Sequence, residues 1–389
     1  MAGPFTALPH VGGADAHDPS ADTIMGDPVT ASPAKESGLI RTRPFPTLAK
    51  SYLEVSKIVR SEGLLARTPW FYGMVGAALI VGLAGCVAGF ILLGDSWFQL
   101  LIAAALGILF TQVAFLAHES AHRTILSTGP ANDKLSQVLG AVVGMSYSWW
   151  DSKHSRHHGN PNIVGKDPDI APGVLSFAAE DAAKSKGFFR WLQSRQGWLF
   201  FPLLTLEGLN LYVQGYVHLC SRGKVKNRWL ELTLLTLRTV LYLFPIFFFL
   251  PLGMAFAFLG VQLAVFGVYM GASFAPNHKG MPLIDRSVKM DFFSKQVRLS
   301  RNIRGGWWAT WFMGGLNYQI EHHLFPNMPR PHLARTRQIV IEKCRELGVP
   351  YTETSLLKSY GIVIAYLNRV GLAARDPFDC PMIAEFRRG

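Results

Sequence analysis

Two long stretches of this chain carry almost no charge, and they limit its fold more than any other feature. From Pro69 to Ala117 the only charged residue is Asp95, and from Thr239 to Asn277 there is none. A helix needs about 20 apolar residues to cross hydrocarbon, so each stretch has room for two crossings. The expected spans are 71–94, 97–117, 231–251 and 254–275, with turns at Asp95 and at Pro251-Leu-Gly253. Composition agrees with a polytopic membrane protein: of 389 residues 49% are hydrophobic and only 16% charged, with a mean hydropathy of +0.21.

The remaining segments divide by pattern. Residues 1–45 are rich in Pro, Gly, Ala, Ser and Asp without apolar periodicity, and a disordered tail is expected there, with no cleaved signal peptide. Residues 46–370 form the expected membrane domain, and 371–389 a C-terminal tail. Within 46–68, Lys50, Lys57, Arg60 and Arg67 alternate with apolar residues, which suits an interfacial helix. Residues 198–219 carry Glu207, Asn210, Gln214 and His218 at helical spacing. That polar stripe predicts an amphipathic helix lying on the membrane rather than a fifth span. Helical periodicity returns over 332–346 and 353–370.

Charge distribution sets the topology. The net charge is +12, yet both short turns lack Lys and Arg. The basic residues crowd into the N-terminal flank, the 123–228 segment and everything after Lys279, which the positive-inside rule places in the cytoplasm together with both termini. A positive cytoplasmic face explains the charge without nucleic acid. The four cysteines, Cys86, Cys220, Cys344 and Cys380, show no paired spacing and read as plain thiols.

Seven of the twelve histidines lie in three clusters: His118-Glu-Ser-Ala-His122, His154-Ser-Arg-His157-His158, and Gln319-Ile-Glu-His322-His323. Neutral imidazole is the commonest protein metal ligand, and spacings of three and four put ligands on one helix face. With four spans running up and down, the second and fourth end on one side. His118 follows the second, Asn277 and His278 follow the fourth, and the other clusters share that side. One zinc uses three or four protein ligands, so eight clustered histidines are too many for it. Two metals fit the count, and among biological metals iron pairs such ligands with oxygen activation. The adjacent pairs His157/His158 and His322/His323 project about 100° apart on a helix, so each pair can serve two ions.

The order and spacing of these boxes, with the run from Gly314 through Tyr318, Gln319, His322 and His323 to Pro326, resemble the membrane fatty acid desaturases, acyl-CoA and acyl-lipid subgroup. The resemblance implies an all-α integral membrane fold of four helices in two hairpins under a cytoplasmic helical cap. It implies a fatty acyl desaturase that inserts a cis double bond using a di-iron centre, dioxygen and two electrons. By the same resemblance His118, His122, His154, His157, His158, His278, His322 and His323 are the iron ligands. Glu119, Asn277, Gln319 and Glu321 are expected beside them, with the two glutamates orienting ligand histidines. Gln319 stands where other subgroups place a histidine. Arg298, Arg301 and Arg304 are candidates for the substrate head group, which is fatty acyl-CoA or a lipid-linked acyl chain. Many relatives carry a fused cytochrome b5 with a His-Pro-Gly-Gly motif, of which His10-Val-Gly-Gly is a poor echo. A separate ferredoxin-like or cytochrome donor with its reductase is therefore expected, as is a bacterial plasma membrane.

Three other readings stay open on the residues alone. A hydroxylase on the same scaffold shares the first hydrogen abstraction. His118-Glu119-Ser-Ala-His122 also matches the HExxH pattern of an intramembrane zinc protease with Glu119 as base, although one zinc leaves the other clusters unused. A histidine-rich transporter needs polar groups at mid-membrane, where Gln112, Thr111 and Gln262 are the expected ones. Trp149, Trp150, Trp307, Trp308 and Trp311 flank the boxes and are expected as interfacial anchors or slot walls. His10, His17, His218 and His332 are expected as surface residues.

Overall fold

The computed structural model describes residues 39–40 and 48–375. Most of both expected tails, with His10, His17 and Cys380, lies outside those residues. Among the described residues four helices are long and apolar enough to cross a membrane: Pro69–Leu93, Gln99–Ala121, Arg228–Phe249 and Leu252–His278. They are called the first to fourth long helices below. At 1.5 Å per residue each exceeds the roughly 30 Å of a hydrocarbon core.

Local chemistry fixes their ends. Pro69 opens the first long helix, where its missing N–H costs nothing. Gly94 closes it in a positive-φ conformation (φ 54°) that a side chain resists. The buried Gln99 side chain then donates to the Phe90 and Gly94 carbonyls at 2.8 and 2.9 Å, sealing the turn around Asp95. The second turn is tighter than Pro251-Leu-Gly253 suggested: helix stops at Phe249 and restarts at Leu252, because Pro251 sits just before the new first turn. The helices also outrun the expected spans toward the histidines. The second long helix continues to Ala121 and the fourth to His278, because their last turns are buried and gain partners there.

The second and fourth long helices form the inside of the structure, while the first and third are largely exposed and apolar. Gly107 lets the inner pair approach closely, since a Cβ there would stand 2.9 Å from the Gln262 carbonyl and from the Val265 side chain. Pro276, two residues before the end of the fourth long helix, lacks the N–H that would bond the Ala272 carbonyl. Tyr360 donates its hydroxyl to that carbonyl at 2.9 Å, so the helix reaches His278 without an orphaned acceptor.

The expected helix at 198–219 is two helices, Gln196–Leu204 and Glu207–Cys220. Both lie against the fourth long helix. A Cβ on Gly208 would meet the Leu263 carbonyl at 2.6 Å, and one on Gly267 the Leu204 carbonyl at 2.3 Å. The break at Thr205-Leu206 lets the chain follow that surface, and the Glu207–Asn210–Gln214 stripe stays outside.

Helix Ala49–Ser61 forms within the segment expected to be helical. Val55 and Val59 are fully buried against Phe293, Val297, Ile320, Leu324 and Val340, so it packs on helix Leu333–Glu346 as part of the layer that carries the third box. Helix Leu356–Leu372 follows the short strand Glu353–Ser355, which pairs in parallel with Asn302–Arg304. The third long helix begins three residues before the expected span, and the two charged residues of that span find partners. Glu231 and Arg238 lie within it, and both turn inward to the segment carrying the second box.

Candidate metal centre

Eight imidazoles converge where the second and fourth long helices end. His118 lies in the last turn of the second long helix and His122 caps it one turn later, on the same face. Helix Tyr147–Gly159 brings His154, His157 and His158; its N-cap Ser146 accepts from the Trp149 amide at 3.2 Å. His278 is the last residue of the fourth long helix, and helix Gln319–Leu324 supplies His322 and His323.

The eight form two groups. In the first, one nitrogen from each of His118, His122, His154, His158 and His322 lies within 4.8 Å of every other. The Nε2 atoms face inward, with His118 and His122 at 3.1 and 3.0 Å from His154, and His158 at 3.2 Å from His322. The second group is His157, His278 and His323, within the same limit, with His157 Nε2 3.3 Å from His278 Nε2. Each adjacent pair is split, His157 from His158 and His322 from His323. The groups touch where the His158 and His323 rings stack at 4.2 Å between centroids.

Hydrogen bonding assigns the tautomers in the second group. His157 Nδ1 lies 3.0 and 3.1 Å from the Asp167 carboxylate oxygens, His278 Nδ1 3.2 Å from the Leu299 carbonyl, and His323 Nδ1 2.9 Å from Gln296 Oε1. The Gln296 amide is oriented by its own donation to the His158 carbonyl at 2.9 Å. Every one of these partners accepts, so each Nδ1 carries the proton and each Nε2 presents a lone pair. Three lone pairs converge on one buried space, where the Gln319 amide reaches that of His278 and the His323 Nε2 has no protein partner at all. A cation resolves that arrangement, so the residues present fit a metal ion.

Electrostatics agree. Burial pushes His122 down to about 4, and burial with the neighbouring imidazoles pushes His154, His158, His322 and His323 well below the ordinary histidine value. These are neutral bases near pH 7 rather than cations. His157 shifts the other way. Burial lowers it, but the Asp169 charge and the Asp167 hydrogen bond outweigh burial and raise its basicity, which strengthens it as a metal donor.

The other expected residues divide. Gln319 Nε2 stands 3.0 Å from His278 Nε2, held there because Gln319 Oε1 accepts from Asn277 Nδ2 at 3.0 Å. Both amides therefore sit at the second group. Glu119 and Glu321 do not orient histidines. Glu119 pairs with Arg330 and accepts from the Tyr72 hydroxyl at 2.9 Å. Glu321 accepts from Asn302 at 2.7 Å and from Tyr351 at 2.9 Å, and burial pushes its carboxyl up to about 7. On a helix the residue beside a ligand points 100° away, which turns both glutamates out of the centre. A carboxylate committed to Arg330 is also a poor general base, so the protease reading loses its catalytic group.

Arg301 is only 2% exposed, and its guanidinium donates to the Pro276 and Lys279 carbonyls. It fastens the turn after His278 instead of meeting a head group. Arg298 is half-buried and Arg304 exposed. His332 is not a free surface residue, since its Nδ1 bonds the Leu64 carbonyl at 2.7 Å. Trp150 stacks on His154 at 4.2 Å, whereas Trp307 and Trp311 face outward.

Sequence reasoning missed the groups that aim the ligands. Asp167 gave a faint signal, an acid in the Asp167-Pro168-Asp169 turn ten residues after His157. Gln296 and the Leu299 carbonyl gave none.

The sequence model of the family described as Fatty acid desaturase matches residues 95–355. A Delta(8)-fatty-acid desaturase 2 of Arabidopsis thaliana is 30% identical over 320 residues, covering 78% of this chain and 69% of its own length. An acyl-lipid (9-3)-desaturase of Borago officinalis is 27% identical, with 80% and 71% covered. A Delta 8-(E)-sphingolipid desaturase of Emericella nidulans is 25% identical, with 89% and 68% covered. All three are eukaryotic, so the expected bacterial location gains no support from them. With a family match over more than half its length, relatives at this identity and coverage, and eight convergent histidines, the chain belongs to the fatty acid desaturase family and is an oxidoreductase that desaturates acyl chains.

Proposed function

We propose that this desaturase holds two irons, one at each histidine group, and uses dioxygen and two electrons from a separate donor to insert a cis double bond into an acyl chain. The observation that carries the reading is the second group, where three Nε2 lone pairs are held face to face by three separate acceptors. Bound there and at the first group, iron supplies the oxidant that takes hydrogen from an unactivated methylene. Five imidazoles in one group and an abutting second group suit a redox pair better than one zinc.

The chain's own task is to place the methylene and keep water out. A cavity opens beside His118, walled by Ala114, Ala117, Ser136, Gly140, Met145 and Trp150. The cavity holds only about 30 Å³, narrower than an acyl segment, so small residues on two facing helices mark the path along which it widens when a chain enters. A chain that moves from the bilayer into such a slot exchanges one apolar surround for another, so close packing against the walls, not escape from water, decides where it rests. The four long helices are read as two membrane hairpins, with the centre and both termini on the cytoplasmic side. The relatives' names favour a lipid-linked acyl chain as substrate over acyl-CoA.

The test is expression in a host with a compatible electron donor, beside His157→Ala, with fatty acids analysed by gas chromatography and mass spectrometry. A new double bond that His157→Ala abolishes is expected, with about two irons per purified chain. A hydroxylated product, or one zinc per chain, overturns the reading.

A further inference from the structure

Helix Tyr147–Gly159 supplies three of the eight histidines, yet within it only His157 is buried. Its apolar packing is confined to Trp149 and Trp150 in the first turn, which lie against the core of the long helices. Its ends are tied as well. At the C-terminal end Gln296 donates to the His158 carbonyl at 2.9 Å and Lys295 to the Gly159 carbonyl at 2.6 Å. At the N-terminal end the partner is Glu231 of the third long helix, 3% exposed and more than eighty residues away in sequence. Its carboxylate accepts from the Ser146 hydroxyl at 2.7 Å, from the Ser148 amide at 3.1 Å and from the Ser148 hydroxyl at 3.0 Å.

Arg238 lies two turns farther along the third long helix and grips the preceding helix, Gly129–Val143. Its Nε donates to the Val142 carbonyl at 3.1 Å and an amino group to the Tyr212 hydroxyl at 3.2 Å, while the guanidinium lies 4.4 Å over the Tyr242 ring. One helix thus places an anion on the N-terminus of Tyr147–Gly159 and a cation on the C-terminus of Gly129–Val143, each matching the local helix dipole. Between the two grips the corner turns through Gly144 (φ 87°), where a Cβ would strike the Tyr212 ring at 2.7 Å. The corner residues Val143, Met145, Ser146 and Tyr147 wall the cavity beside His118.

We propose that Glu231 and Arg238 are positioning residues: together they set where helix Tyr147–Gly159 stands relative to the cavity, and so which methylene of the acyl chain faces the metal centre. The proposal rests on reading that cavity as the acyl slot. Loss of the carboxylate frees the first turn of the helix, shifting the slot wall and His154, His157 and His158 together. Displacements near 1 Å at a reacting centre cost as much as about a hundredfold in rate.

The full chain, Glu231→Ala, Glu231→Gln and Arg238→Lys are expressed in the same host, and three quantities are read: conversion, the positional isomers of the new double bond, and iron per purified chain. Glu231→Ala is expected to lower conversion at least about tenfold and to spread the product over neighbouring positions. Glu231→Gln, which keeps an acceptor for the Ser148 amide, is expected to restore a single isomer. A part that merely stabilised the fold would lower the amount of protein and leave the isomer pattern unchanged. Glu231→Ala with wild-type conversion, one isomer and full iron overturns the proposal. If Glu231→Ala does not accumulate, Ser148→Ala removes one donor to the carboxylate, and a wild-type isomer pattern there overturns it equally. Should the unaltered chain make no double bond, the slot reading fails. The clamp is then judged on iron content, which Glu231→Ala must lower.

Discussion

The buried pair of Glu119 and Arg330 gives the sharpest test of how the first and third boxes are held together. Glu119 is 7% exposed and Arg330 6%, and both guanidinium arms meet the carboxylate, Arg330 Nε at 3.2 Å from Oε1 and an amino group on Oε2. Tyr72 completes the set, donating to Glu119 at 2.9 Å and accepting from the Arg330 amide at 3.2 Å. Removing Arg330 leaves a carboxylate in a site that water cannot reach, at a cost of about 3–5 kcal/mol, whereas removing both charges is close to neutral. Arg330→Met is therefore expected to lower the unfolding midpoint by roughly 5–15 °C. Glu119→Gln with Arg330→Met is expected to recover most of that loss and to keep making double bonds.

Detergent-solubilised protein heated and scored by size-exclusion chromatography gives the midpoints, and fatty acid analysis gives the activity. A catalytic Glu119, as in a zinc protease, requires the double variant to be inactive. If Arg330→Met unfolds at the wild-type temperature, or the double variant is no more stable than the single, the ion-pair argument is wrong.

Three further outcomes follow from the same geometry. Asp167→Asn removes the charge that fixes the His157 tautomer and is expected to weaken iron retention about 10- to 100-fold against a chelator; unchanged retention would show that Asp167 does not aim the ligand. For the metal-free protein, His122, His154, His158, His322 and His323 have folded pKa values below the ordinary 6.5, so between about 4 and 6.5 the unfolded chain binds more protons and stability rises with pH. Glu321, raised to about 7, acts in the opposite sense between its ordinary 4.5 and 7, as does the raised His157 above 6.5, but five lowered groups outweigh them; an unfolding midpoint that falls from pH 4 to 6.5 contradicts this. Ala114→Phe fills the cavity beside His118 and is expected to shift products to shorter acyl chains at full iron content, which an unchanged chain-length profile would refute.

The four long helices were legible because lipid demands a property any reader of sequence can see, an unbroken apolar run of sufficient length. Their ends were less so. The runs stop at Ala117 and near Ala275, but helix continues to Ala121 and His278, because burial and the bond from Tyr360 to the Ala272 carbonyl satisfy polar turns that a hydropathy pattern treats as outside. The break at Thr205 was invisible for a related reason. It follows from the close approach of Gly208 and Gly267, a fact about two segments rather than one. Glu231 and Arg238 look like the polar edge of a span until their partners, Ser148 and Val142, are seen.

The same contrast runs through the metal centre, and chemistry explains it. A ligand to a metal must offer a neutral lone pair of the right softness, which restricts it to few residue types and gave the eight histidines a visible signature. The group that aims a ligand needs only to accept a proton from Nδ1. In the second group that single task falls to a carboxylate on Asp167, an amide oxygen on Gln296 and a backbone carbonyl at Leu299. Three unlike groups serve equally, so no residue type marks the role and no spacing encodes it. Glu119 and Glu321 show the converse error, since both stand beside ligands in sequence and both point away from the centre. Sequence pattern finds the donors of lone pairs, whereas what orients them belongs to the packing of segments far apart in the chain.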